Sequence, residues 1–82
     1  MNAISNKIKT VLIASGKKQK ELAEYLHMTP QTLSNKFVRG SWSAADLIKV
    51  SDFCGAPLSF DANGTKILLD PQDLPENKKE SL

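Results

Sequence analysis

Reactive side chains are scarce in this 82-residue chain, which holds one histidine, His27, and one cysteine, Cys54. Zinc sites are built from three or four Cys, His or carboxylate ligands, and these two residues do not make one of the usual kinds. A nucleophilic mechanism needs a base within hydrogen-bond reach, and no Ser, Thr or Cys here has an evident histidine partner. No Gly-rich run of the phosphate-cradling kind occurs either. Catalysis, a metal and a cofactor are therefore not expected. What the chain does hold is clustered positive charge. Lys17, Lys18 and Lys20 crowd one stretch, and up to Phe60 there are eight Lys and Arg against four Asp and Glu, whereas from Asp61 onward there are three against five. Phosphates are neutralised by local cations rather than by net charge, which is only +2, so the first part of the chain suits a polyanionic partner.

Size and patterning decide what scaffold can carry that charge. A domain this short buries about 60% of the surface its unfolded chain exposes, enough for one core. Apolar content of 40% and charged content of 24% are ordinary for a globular domain and argue against a disordered or membrane class. The longest strongly apolar run, Val11 to Ala14, is too short to span a bilayer. Lys7 and Lys9 precede it but no cleavage site follows, so a cytoplasmic location is expected. Cys54 alone forms no internal disulfide and suits a buried, reduced thiol.

Helical periodicity runs through most of the chain. Ile4, Ile8, Val11 and Leu12 form one stripe of a first helix from about Asn2, its N-cap, to Ser15, closed by Gly16. A second, short helix over Gln19 to Leu26 turns Leu22, Ala23 and Leu26 inward and Lys20, Glu21 and Glu24 outward. Thr29-Pro30 is a strong start signal, a hydroxyl cap followed by a proline whose missing N–H would be unpaired anyway. The third helix runs from Pro30 to about Val38, with Leu33 and Phe37 inward and Arg39-Gly40 closing it. Ser43 and Asp46 make a capping box for a fourth helix to Cys54, with Trp42 placed to pack on Leu47 as a staple. Its inward positions are Leu47, Val50 and Cys54, with Gly55 as C-cap.

After Pro57 the period becomes two. Around Asn63-Gly64, a two-residue hairpin signal, Leu58 faces Leu69, Phe60 faces Ile67 and Asp61 faces Lys66. Leu58, Phe60, Ile67 and Leu69 are expected to face the helices. The stretch 71–82, rich in Pro, Asn, Lys and Glu, reads as a flexible charged tail on a domain that ends near residue 70.

Only His27-Met28-Thr29 separates the second helix from the third, and so tight a joint calls for a small residue, Ala23, where they approach. The run Gln19-Lys-Glu-Leu-Ala-Glu-Tyr-Leu-His-Met-Thr-Pro-Gln-Thr-Leu-Ser resembles the helix-turn-helix of the Cro and phage-repressor family of bacterial regulators, and the likeness continues through Arg39-Gly40 to about Leu58. The resemblance implies a mainly α, four-helix repressor-like domain, here with a C-terminal β-hairpin, that binds double-stranded DNA. Three positions depart from the family pattern. His27 stands where a turn glycine is usual, a residue that tolerates the left-handed region. Lys18 replaces a capping hydroxyl, and Lys36 takes a usually apolar position beside Phe37.

By that resemblance the N-terminal part of the third helix enters the major groove, which makes Gln31, Thr32 and Asn35 candidates for base contact. Gln19 and the amides near it would meet a phosphate, with Lys17, Lys18 and Lys20 around them. Lys36, Arg39, Ser41 and Ser43 could grip the other strand. Trp42 reads as a core residue rather than a stacking platform, and single-stranded RNA binding lacks the exposed aromatics it would need. Leu68 points away from the expected inner face, beside Ser59 and on the same face as Lys66, and the hairpin edges are unpaired, so a homodimer through the hairpin is expected. The competing class is an antitoxin-like interaction module whose hairpin or tail binds another protein.

Overall fold

The computed structural model describes residues 3–74. Four helices, α1 (Ala3–Ala14), α2 (Gln19–Tyr25), α3 (Pro30–Arg39) and α4 (Ala44–Cys54), precede a hairpin of β1 (Leu58–Ala62) and β2 (Thr65–Leu69) and a short 3-10 turn over Pro71–Asp73. The expected N-cap Asn2 lies outside the described residues. No described helix is long and apolar enough to cross a membrane.

One cluster of Ile8, Leu12, Leu22, Ala23, Leu33, Phe37, Val50 and Cys54 draws on all four helices. Leu22 and Leu33, both essentially inaccessible, knit the two short helices to the rest. Helix α1 is turned slightly from its expected facing. Ser5, Ile8 and Leu12 are its buried residues, while Ile4 is half exposed. The cause is polar. The indole Nε1–H of Trp42 donates to Ser5 Oγ at 3.1 Å, so the buried hydroxyl and the half-buried ring satisfy one another. Trp42 also stands edge-on to Phe37 with centroids 5.0 Å apart, a favoured aromatic geometry. In α4 the buried set is Ile48, Val50 and Cys54; Leu47, expected inward, is half buried against the core.

The expected helix ends are present. Thr29 Oγ1 accepts the Thr32 amide at 3.1 Å, and Ser43 and Asp46 form their reciprocal box at 3.1 and 3.0 Å. Lys18 gives α2 no side-chain cap, but Glu21 accepts the Lys18 N–H at 2.9 Å. Tyr25 ties α2 to α4, its phenol donating to Asp52 Oδ2 at 2.7 Å while its ring lies 5.0 Å from that of Phe53. The hydrogen bond to Asp52, helped by partial burial and by the carboxylate charge, pushes the phenol pKa up to about 12. A group whose folded pKa is raised stabilises the fold fully below its unfolded value, and that contribution is lost as pH rises from about 10 toward 12. Tyr25 is the sole tyrosine, so absorbance at 295 nm reads it directly. The tyrosinate signal should be small at pH 11, where a free phenol is about nine-tenths ionised, and Asp52→Asn should restore ionisation near pH 10. A wild-type midpoint near 10 would contradict the hydrogen bond.

The hairpin has the expected register, Leu58↔Leu69 through Ala62↔Thr65. Asn63 and Gly64 both have positive φ, 53° and 82°, as a tight I′ turn requires. Its facing is the correction. Only Leu58 and Leu69, at the base, are partly covered, whereas Phe60 is 64% and Ile67 52% exposed. Strands rise about 3.3 Å per residue, so the outer part of the hairpin runs past the helices. A second correction concerns the tail. Asp70 caps the turn, its Oδ1 accepting the Gln72 amide and its N–H donating to Asp73 Oδ2, each at 3.0 Å. Leu74 is then buried and lines a hollow together with Tyr25, Leu26, His27, Lys49 and Pro71. The rest of the expected tail, 75–82, lies outside the described residues.

Candidate nucleic-acid interface

The joint between α2 and α3 places the candidate surface. His27 takes φ 58°, its N–H bonds the Glu24 carbonyl at 3.1 Å, and the Met28 N–H bonds the Ala23 carbonyl at 2.9 Å. That paired pattern is a Schellman ending, with histidine in the left-handed position usually held by glycine. Ala23, 1% exposed, is the small residue at the contact. The chain thereby leaves α2, turns over three residues and enters α3 at the Thr29 cap.

On α3, Leu33 and Phe37 are buried, and Gln31, Thr32, Ser34, Asn35, Val38 and Arg39 are solvent-accessible. At about 100° per residue, Gln31 and Asn35 lie on the side of α3 opposite those two core residues. Both amides can offer a donor and an acceptor to one partner. Thr32 lies to the side, exposed, its hydroxyl accepting from Thr29 at 2.9 Å.

Gln19, Lys17, Lys18 and Lys20 are all exposed. Lys17 lies over the Phe53 ring, 5.2 Å from its centroid, and lines one shallow hollow with Lys9, Leu12, Ile13 and Gln19. Lys9 was not singled out from the sequence. Its position follows from the packing of α1 against α3, which brings its ammonium to 5.6 Å from the Phe37 ring centre. No linear spacing signals that approach.

Lys36 has a different arrangement from the phosphate grip expected of it. Its Nζ donates to Asp46 Oδ2 at 2.8 Å and to the Ser41 carbonyl at 2.9 Å, and it sits 5.7 Å from the centre of the Trp42 ring. The usually apolar position is thus filled by an aliphatic stem whose charge is matched at the α3–α4 joint. Burial pushes the Asp46 carboxyl up, but Lys36 and the Ser43 box outweigh it, and the pKa falls below the ordinary carboxylate value. Ser43 has its backbone N–H and Oγ in that box, while Arg39 and Ser41 keep exposed side chains. Ser59, Lys66 and Leu68, the expected dimer residues, are all exposed on one face of the hairpin.

The family model for the bacteriophage CI repressor helix-turn-helix domain matches residues 8–66. The chain belongs to that family. The chain is also 38% identical over 64 residues to the repressor protein CI of Enterobacteria phage phi80, an alignment that covers 78% of this chain and 27% of the relative. The chain thus spans about a quarter of the length of that curated relative. No solved structure matches it. The match takes in α2, the His27 joint, α3, α4 and the hairpin as far as Lys66, so the CI-type domain includes every candidate contact residue described above on α2 and α3.

Proposed function

We propose that this CI-type domain binds double-stranded DNA in the cytoplasm as a transcriptional regulator and reads the major groove with α3. The observation that carries the reading is the outer face of α3, where Gln31 and Asn35 stand exposed opposite the core. Each of these side chains can bond adenine through two atoms, and the Thr32 methyl suits thymine. Gln19, Lys17, Lys18 and Lys20, with Arg39 at the end of α3 and Ser41 and Ser43 beyond it, serve the phosphates on either side. Lys36, occupied by Asp46, holds the joint and is left out of that set.

Salt dependence tests the phosphate grip. Replacing Lys18 and Lys20 by Gln should weaken binding to every duplex and flatten the slope of log affinity against log salt by roughly one unit for each phosphate that is no longer neutralised. An unchanged slope would assign both lysines to solvent.

A homodimer through the hairpin completes this reading. Leu68, beside Ser59 and Lys66, is 58% exposed, and Phe60 and Ile67 add apolar surface on the other face. Each strand of the two-stranded sheet has an edge with no strand partner among the described residues, and pairing with a second copy would satisfy those amides and carbonyls. Two recognition helices about 34 Å apart could then read successive major grooves. Sedimentation equilibrium should show a dimer at micromolar concentration, shifted toward monomer by Leu68→Lys with helical content intact. A wild-type monomer at hundreds of micromolar, free and on DNA, would refute the dimer. It would leave the exposed hairpin to a different protein partner, as an antitoxin-like role requires.

A further inference from the structure

The outer face of α3 carries one residue that polar groove chemistry does not explain. Val38 is 68% exposed, although it is a β-branched apolar side chain on a helix whose other exposed positions are polar or Pro30. Its direction is specific. At about 100° per residue, Val38 falls within roughly 60° of both Gln31 and Asn35, so the three form one stripe opposite Leu33 and Phe37. Val38 stands seven positions after Gln31, and at 1.5 Å per residue that is about 10 Å along the helix axis. A stripe of that length spans about three base-pair steps of 3.4 Å. The last turn of α3 also carries Arg39 outward, a charge that can hold this end near the backbone.

We infer that Val38 reads the 5-methyl group of a thymine, adding an apolar position to the amide positions of Gln31 and Asn35. This rests on the proposal that α3 enters the major groove. A valine in that stripe has no hydrogen bond to offer a base edge, and the thymine methyl is the one apolar group displayed there. Contact would remove both from water. Asn35, three residues earlier on the same stripe, would bond the neighbouring base pair, so the thymine should lie next to the position that Asn35 specifies.

The test uses the full chain and duplexes it selects from a random pool, with each dT replaced singly by dU to delete the methyl and nothing else. Wild type should lose about fourfold in affinity at one dT or more, the value of one buried methylene-sized group. Val38→Ala should bind the unmodified duplex more weakly and abolish the dU penalty at one of those positions, while Val38→Ile retains it. Circular dichroism should show both variants folded, since Val38 lies outside the core. Two results would overturn the inference alone: no dU penalty in wild type, or the same penalties in Val38→Ala, when Gln31→Ala has blurred base preference. If Gln31→Ala leaves base preference unchanged, or no duplex is enriched, the groove reading fails and this inference with it.

Discussion

Leu22→Ala should destabilise the domain by about 2–5 kcal/mol, the range for deleting a buried leucine from a packed core. Leu22 is fully inaccessible and belongs to the cluster that joins all four helices. Its loss would strand α2, which is only seven residues long and too short to be helical without tertiary packing. Small domains have total stabilities of about 5–15 kcal/mol, and at 82 residues this one should lie toward the lower end. A denaturant titration should therefore show a midpoint reduced by about half or more, with an unfolded fraction already present at 37 °C. A destabilisation below about 1 kcal/mol would mean that the packing of α2 is not the keystone that the burial of Leu22 indicates.

The second large effect concerns recognition. Gln31→Ala should cost about 1–3 kcal/mol on the preferred duplex and blur base preference at one position, with little change on random duplex. Gln31 is exposed, outside the core and in the first turn after the Thr29 cap, so the substitution leaves folding intact. Equal weakening on both DNAs would reassign Gln31 to the backbone.

Helix ends and strand register were legible in the residues because they depend on local chemistry. Thr29-Pro30, Ser43 with Asp46, and Asn63-Gly64 each act within a few residues of themselves, and each appears as expected. Tertiary facing was less legible. Ile4 has the more apolar side chain, but Ser5 is buried because a tryptophan 37 positions along the chain needs its hydroxyl. Phe60 and Ile67 obey the alternation of a strand, yet the helical body is too short to cover them. The cap at Asp70 with Asp73 was readable as a turn signal and lay hidden in a Pro- and Lys-rich composition. Within the candidate site, Gln31, Asn35 and Lys20 stand exposed as the helical pattern places them. Lys36 does not, since the distant Asp46 claims its charge, and Lys9 enters the surface only through the packing of α1 against α3, whereas Val38 faces outward as the same helical pattern requires.

The most direct test is to map the surface that meets DNA. Backbone amide resonances of the full chain, titrated with a selected duplex, should shift most at Gln19, Lys20, Gln31, Thr32, Asn35 and Val38. The core positions Leu22 and Val50 should move little. Shifts concentrated on Leu58–Leu69, with α3 unchanged at saturation, would contradict a groove-reading third helix.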